Sequence, residues 1–115
     1  MQPRIEHCWD VSTKEARGIQ QELRSRVICR GTPKRVRRVA GVDISIRDGQ
    51  AVAAIVVLTF PSLETVEVAL AEQPVPFPYV PGLLSFREIP SILAAAEMLK
   101  SEVDLLLVDG QGIAH

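Results

Sequence analysis

The 115-residue sequence predicts a single α/β domain, and three observations indicate this fold class. Apolar residues make up 47% of the chain and aromatic residues only 4%, a balance typical of globular α/β proteins. Apolar positions recur at helical spacing in two segments, whereas in four others they alternate or run continuously as in strands. A chain of this length buries one hydrophobic core and leaves little for a second.

The first helix is predicted over about residues 12–29. Ser12 and Glu15, three residues apart, have the spacing of a capping box, in which each side chain bonds the other's backbone amide. The apolar stripe that follows has intervals of three and four, at Ala16, Ile19, Leu23 and Val27. This pattern predicts one buried helix face.

The second helix is predicted over about residues 90–102. Ser85 and Glu88 also have capping-box spacing, but Pro90 favours the first position of a helix and disfavours helical geometry at Ile89. A helix that begins at Pro90 leaves Glu88 just outside it, without a capping role.

Four strands are predicted, at about residues 36–46, 51–60, 65–72 and 104–109. Asp48-Gly49 is a two-residue hairpin signal, and pairing through it places Asp43 opposite Ala54. The second strand is apolar on both faces, so we expect it to be central and covered on both sides. The third alternates and is expected nearer the edge, and the first three strands form an antiparallel meander.

A basic block contains seven of the thirteen Lys and Arg residues and no acid: Arg24, Arg26, Arg30, Lys34, Arg35, Arg37 and Arg38. Such a block is a candidate phosphate-contacting surface, with Arg35, Arg37 and Arg38 as the expected nucleic-acid contacts. Because the net charge of the chain is only −1, charge alone leaves open a solvated loop that is balanced by acids elsewhere.

The sequence shows neither an apolar run long enough to cross a membrane nor the apolar core of a secretory signal. We therefore expect a cytoplasmic protein with no membrane partner and no obligate protein partner. Its two cysteines, Cys8 and Cys29, suit reduced thiols and are too few for a disulfide scaffold or a zinc site.

A proline-rich loop, residues 73–82, has prolines at positions 74, 76, 78 and 81. Proline fixes the backbone, so the loop is expected to be extended and to hold Phe77 and Tyr79 at low entropic cost. A rigid, exposed ring suits stacking on a base or wedging into a duplex. The alternative is that the rings pack over the sheet, which fits Phe77 better than Tyr79.

Three acids stand out by position: Asp43 within a strand, Glu88 just before a helix, and Asp109 at a strand end. A ββαβ arrangement brings such residues to one edge, where carboxylates hold Mg²⁺ for attack of water on a phosphodiester. This is a ribonuclease H-like pattern, although scattered acids are common and the spacing alone is a weak signal. Asp43 facing solvent or capping a local bend is the alternative.

Three strings resemble the signature segments of the endonuclease V family: residues 38–43 (RVAGVD), 78–88 (PYVPGLLSFRE) and 104–115 (DLLLVDGQGIAH). The resemblance runs from about Trp9 to the last residue. It implies a ribonuclease H-like nuclease that uses Mg²⁺, or Mn²⁺ as a substitute. The implied substrate is DNA with deaminated bases, chiefly hypoxanthine (inosine), or inosine-containing RNA, cut at the second phosphodiester 3′ to the lesion.

The resemblance also implies roles for individual residues. Asp43, Glu88 and Asp109 are implied as the metal carboxylates, and His115 is implied beside the metal or the scissile phosphate. Tyr79, framed by Pro78 and Pro81, is implied as the wedge that fills the gap left by a flipped base. The pocket for that base is implied at Gly82, Leu84 and Gly110.

Family members continue beyond the position of His115 with a further helix, strands and a functional lysine. We therefore expect this chain to match an N-terminal portion, with the sheet ending before its remaining strands, and not to nick a duplex by itself. The alternative hypothesis is a non-catalytic nucleic-acid-binding module, or a relic, that retains the wedge and the basic surface.

Overall fold

A computed structural model describes residues 1–110. In this range the elements are α1 (Thr13–Arg24), β1 (Arg38–Arg47), β2 (Gln50–Thr59), β3 (Thr65–Pro74), α2 (Leu84–Glu97) and β4 (Leu105–Val108). The strands form one mixed sheet in the order β3-β2-β1-β4. The predicted α/β class is thus confirmed, with an antiparallel meander followed by a helix and a further strand. No helix in this range is long and apolar enough to cross a membrane.

The register of β1 fixes the position of the site. Asp48 and Gly49 form a two-residue turn with φ of 51° and 74°, and this turn places Asp43 opposite Ala54, as predicted. β4 pairs parallel to β1, with Val108 beside Val42. Because parallel strands run in the same direction, the residue after each of these two valines lies at the same end of the pair. Asp43 and Asp109 therefore both lie just beyond the paired stretch of β1 and β4, with Asp43 in the middle of β1 and Asp109 directly after β4.

α2 covers one face of the sheet and forms the main core with it. β2 contributes Ile55 and Val57, both 0% exposed, α2 contributes Ile92, Ala95 and Ala96, and Leu99 joins them from just after the helix. Full burial of an Ile or Val side chain contributes about 1.5–3 kcal/mol relative to exposure, so this face is a main source of stability. Ser91 of α2 is also 0% exposed, and its Oγ has no hydrogen-bond partner among residues 1–110.

The opposite face of the sheet is largely exposed in the described part of the chain. Val68 and Leu70 of β3 and Leu107 of β4 are each more than half exposed. The prediction that β2 is covered on both sides is therefore wrong for residues 1–110, since its side chains alternate between buried and less buried positions. α2 covers only one face, and the buried residue of α1, Ala16, packs with Phe77 and Phe86 instead.

Both helices differ from their predicted bounds. α1 ends at Arg24 rather than near residue 29, and Val27, the last apolar position of the predicted stripe, is 51% exposed. Without burial, that position contributes little to hold a further helical turn. The predicted capping box at the start of α1 is present, with Ser12 Oγ accepting from the amide of Glu15 at 3.1 Å.

α2 begins at Leu84, six residues before the predicted start, and Pro90 lies inside the helix. The prediction that Pro90 pushes Ile89 out of helical geometry was wrong. Burial explains the result, because Leu83 and Phe86 are 1% and 3% exposed and pack against α1 and Phe77. The proline costs one backbone hydrogen bond, whereas this packing holds the first turn in place.

Carboxylates tie the segment between α2 and β4 to the sheet. Asp104 Oδ2 accepts hydrogen bonds from the backbone amides of Arg37 and Arg38 at 2.9 and 3.1 Å. These bonds lower the pKa of Asp104, because they stabilise the ionised carboxylate. Glu67 of β3 likewise accepts from the amides of Lys100 and Ser101. The start of β4 is thereby fixed beside the start of β1.

Candidate active site

A cavity of about 370 Å³ lies at the end of β4 and is here called the acidic cavity. It is lined by all three carboxylates that the sequence singled out: Asp43 from β1, Glu88 from α2 and Asp109 directly after β4. Three different elements thus each bring one acid to the same space. The remaining wall is Val42, Ile44, Leu84, Ile92, Val108 and Gly110.

The three acids differ in their local surroundings. Asp43 is exposed, and its Oδ1 accepts a hydrogen bond from the backbone amide of Ile44 at 2.9 Å. Asp43 lies in a continuous strand with no bend for it to cap, and it is exposed to solvent while also lining the cavity. Glu88 is half-buried within α2, and Asp109 is exposed. Glu88 belongs to the helix, contrary to the prediction that it precedes it.

Carboxylate oxygens are the donors that Mg²⁺ prefers in proteins, so the type of residue at the acidic cavity fits this cation. In residues 1–110, however, no group of three or more His, Cys, Asp or Glu side chains is arranged to hold a metal ion. The structure brings the three carboxylates to one cavity without gathering them at one point. His115 lies outside the described residues.

A second cavity of about 340 Å³, the apolar cavity, adjoins the first and shares six lining residues with it: Leu84, Glu88, Ile92, Val108, Asp109 and Gly110. Its other walls include α1 and an aromatic cluster of His7, Trp9 and Phe86. The His7 and Trp9 rings are 4.2 Å apart between centroids, and Trp9 meets Phe86 edge-on at 5.3 Å. An apolar space of this size beside carboxylates can take a flat heteroaromatic ring.

Sequence reasoning missed His7 and Trp9 as cavity residues and found only part of the predicted base pocket. Leu84 and Gly110 line the apolar cavity, whereas Gly82 lines a separate groove. The spacing of Trp9 carried no periodic signal, and its contact with Phe86 joins residues 77 positions apart in the sequence.

The two aromatic side chains of the proline-rich loop, Phe77 and Tyr79, lie in different environments. Phe77 is 5% exposed and packs on Phe86, whereas Tyr79 is 69% exposed. The loop is held on both sides of Tyr79, because Arg87 Nη1 donates to the Phe77 carbonyl at 3.2 Å and Gln20 Nε2 donates to the Gly82 carbonyl at 2.7 Å. Tyr79 is therefore an exposed side chain on a stretch of backbone that is fixed before and after it.

The arginines predicted to contact nucleic acid lie at the start of β1 or before it. Arg38 begins the strand and Arg37 precedes it, five or more residues before Asp43, or roughly 16 Å along an extended strand. Arg35, Arg37 and Arg38 line neither of the two cavities. Of the basic block, Arg24 lines the apolar cavity.

Comparison with known proteins gives one consistent family. The family model of Endonuclease V matches residues 21–115. Endonuclease V of Roseiflexus sp. (strain RS-1) is 47% identical over 115 residues, which cover 100% of this chain and 52% of that protein. Endonuclease V of Rippkaea orientalis is 52% identical over 106 residues, or 90% and 46% of the two chains. The chain spans about half the length of the curated relatives it matches.

Solved structures agree with this fold. Endonuclease V of Streptomyces avermitilis superposes with a TM-score of 0.85 at 45% identity, covering 96% of this chain and 50% of that one. Endonuclease V of Ciona intestinalis, in complex with a 24mer DNA that contains an inosine, superposes at 0.75 with 29% identity, covering 86% and 46%. The described part therefore has the ribonuclease H-like fold over about half the length of these structures.

Proposed function

Because the chain belongs to the endonuclease V family, we propose that it serves in a DNA-repair endonuclease directed at deaminated bases, chiefly hypoxanthine (inosine). The bond cut is the second phosphodiester on the 3′ side of the lesion. One observation carries the proposal: Asp43, Glu88 and Asp109 line one cavity, which adjoins an apolar cavity large enough for a base.

The three carboxylates are the residues that would hold Mg²⁺, with Mn²⁺ as a substitute. When bound, such a cation supplies a more acidic water and neutralises charge on the phosphate. Asp43 and Asp109 are positioned by the pairing of β1 with β4. Each directly follows one member of the paired residues Val42 and Val108, so the register places the two aspartates at the same level along the strands. Glu88 is positioned by α2, which packs on β1, β2 and β3.

Lesion recognition is assigned to the apolar cavity and the proline-rich loop. A flipped hypoxanthine would lie against Leu84 and Gly110, while Tyr79 fills the gap left in the duplex. Extruding a base costs a few kcal/mol and costs less when its pairing is poor, so this arrangement selects weakly paired bases. The inosine-containing DNA bound to the Ciona relative supports this substrate, and inosine-containing RNA offers the same base.

A second candidate function is a nucleic-acid-binding module that does not cleave. The observation that favours it is that residues 1–110 present no ready cluster of metal-ligating side chains, although three acids share a cavity. Such a module would use Tyr79 and the apolar cavity in the same way. It would bind inosine-containing duplexes preferentially and leave them intact.

Incubation with two duplexes that differ in a single hypoxanthine, in the presence of Mg²⁺, tests these candidates. One arm uses the 115-residue chain, and a second uses a fusion protein in which this chain is followed by the unmatched part of the Roseiflexus relative. The endonuclease proposal predicts an inosine-dependent nick by the fusion protein that Asp43→Asn abolishes. Preferential binding without a nick in either arm would instead support the binding module. Equal affinity for both duplexes would contradict both.

A further inference from the structure

A third cavity, of about 260 Å³, lies between α1 and the proline-rich loop and is here called the α1 groove. Its helix wall is Arg17, Gln20, Gln21 and Arg24, and its loop wall is residues 81–83. We propose that the α1 groove binds a phosphate of the nucleic-acid strand beside the displaced base, with Arg17 and Arg24 as its ligands. This inference rests on the proposed function, since it places that strand along the loop.

The charge of the groove selects an anion. Arg17 and Arg24 are seven residues apart, or about two helical turns, so both lie on the side of α1 that faces the loop. No carboxylate is among the residues that line the groove. The planar guanidinium group offers several N–H donors in a fork that matches phosphate oxygens, and both arginines are exposed to reach a ligand.

The position of the groove favours a strand of nucleic acid. Gln20 Nε2 donates to the Gly82 carbonyl at 2.7 Å and so fixes the loop wall against the helix, three residues after Tyr79. Gln20 and Arg24 also line the apolar cavity, so the two spaces share one ridge of α1. With a flipped base in the apolar cavity and Tyr79 inserted in the duplex, the sugar-phosphate backbone between these two points would lie near Arg17 and Arg24.

The salt dependence of binding tests the groove, because each phosphate contact contributes about 0.9 to the slope of log K against log salt for duplex DNA. The 115-residue chain is titrated with the inosine duplex at several salt concentrations, without divalent metal. We expect the double variant Arg17→Gln/Arg24→Gln to reduce the slope by about 0.9, because one phosphate contact is lost, and Arg17→Gln alone to account for most of that reduction. Arg17→Lys should retain the slope.

Lys14→Gln is the matched control, since it removes the same charge from the same helix at a residue that does not line the groove. Slopes for Arg17→Gln that equal those of Lys14→Gln would overturn the proposal.

The outcome is separable from that of the proposed function. Equal affinity of the wild-type chain for the inosine and the normal duplex would contradict lesion recognition, yet a slope change in Arg17→Gln would still place a phosphate in the groove. An unchanged slope with an intact inosine preference would reject the groove alone.

Discussion

Asp104 and Asp109 flank the same four-residue strand, β4, and their surroundings differ. The Asp104 carboxylate accepts two backbone amide hydrogen bonds at the start of the strand, and these lower its pKa. Asp109, just past the end of the strand, lines a cavity together with Asp43 and Glu88. The same residue type thus holds the fold at one end of β4 and is placed for a ligand at the other.

The two ends of the β1–β4 pair differ in charge as well. Arg37 and Arg38 lie at the end that Asp104 fixes, and the three carboxylates lie at the opposite end. A charged residue next to β1 or β4 in the sequence can therefore belong to either end, and its sequence position alone does not show whether it stabilises the fold or lines the candidate site. The two aspartates differ in their contacts: the carboxylate of Asp104 accepts hydrogen bonds from backbone amides, whereas Asp109 lines a cavity.

The largest expected effect separates the two aspartates by activity. In the fusion protein, Asp109→Asn should lower the rate of inosine-dependent nicking by at least about 100-fold, because a lost metal carboxylate removes several kcal/mol of charge stabilisation. Asp104→Asn should leave the rate within about twofold, since its carboxylate contacts only the start of β1. Single-turnover nicking assays in Mg²⁺ measure both. Equal losses in the two variants would remove the distinction between the ends of β4.

A smaller effect is expected at the proline-rich loop. Tyr79→Ala should weaken binding of the 115-residue chain to the inosine duplex by about 1–3 kcal/mol, the usual value of one stacked base, and Tyr79→Phe should retain most of the affinity. Phe60→Ala is the matched control, because Phe60 is another half-exposed aromatic residue but lies directly after β2, outside the proline-rich loop. Equal effects of the two alanine variants in fluorescence titration would argue against a wedge.

Ser91 provides a further comparison with Asp104, between a buried polar group without a hydrogen-bond partner in the described part of the chain and a carboxylate that has two. Its hydroxyl is buried without a hydrogen-bond partner among residues 1–110, whereas the Asp104 carboxylate has two. Ser91→Ala should therefore raise the free energy of unfolding by about 1 kcal/mol, with exposed Ser45→Ala as a near-neutral control. Urea denaturation at pH 7 measures the difference. A destabilised Ser91→Ala variant would show that the hydroxyl has a partner after all.

The smallest predicted effect is a pH dependence at Asp104. The folded-state pKa lies below its ordinary value of 3.8, so the ionised carboxylate stabilises the fold above that pH. This contribution is lost as the pH falls through the lowered value. Asp104→Asn should thus unfold at a lower urea concentration than the wild type at pH 7, and the two midpoints should converge well below pH 3.8. A constant gap across this range would mean that the carboxylate charge plays no part.

The sequence allowed the register at the site to be predicted because its signal is local. Asp48-Gly49 accepts the positive φ values of a two-residue turn, so pairing placed Asp43 opposite Ala54. The start of α2 could not be predicted in this way. Pro90 is a strong local signal, but the burial of Leu83 and Phe86 against distant residues outweighs it.

Other features depend on contacts that no periodic pattern reveals. The continuous apolar run of β2 is compatible with cover on one face or on both, and only the position of α2 distinguishes them. His7 and Trp9 line the apolar cavity together with residues of α2, and Gln20 donates a hydrogen bond to Gly82. Both contacts join the N-terminal segment to residues more than sixty positions away. These contacts connect α1 to the candidate site.

The relative affinity of the 115-residue chain for two duplexes that differ in one hypoxanthine tests the central claim most directly. In Mg²⁺ the proposal predicts binding about tenfold tighter to the inosine duplex, because a saving of about 1.4 kcal/mol in unpairing corresponds to a factor of ten. The same titration with Tyr79→Ala should bring the two affinities together. Equal affinities for the wild-type chain would contradict the claim that the end of β4 is an inosine site.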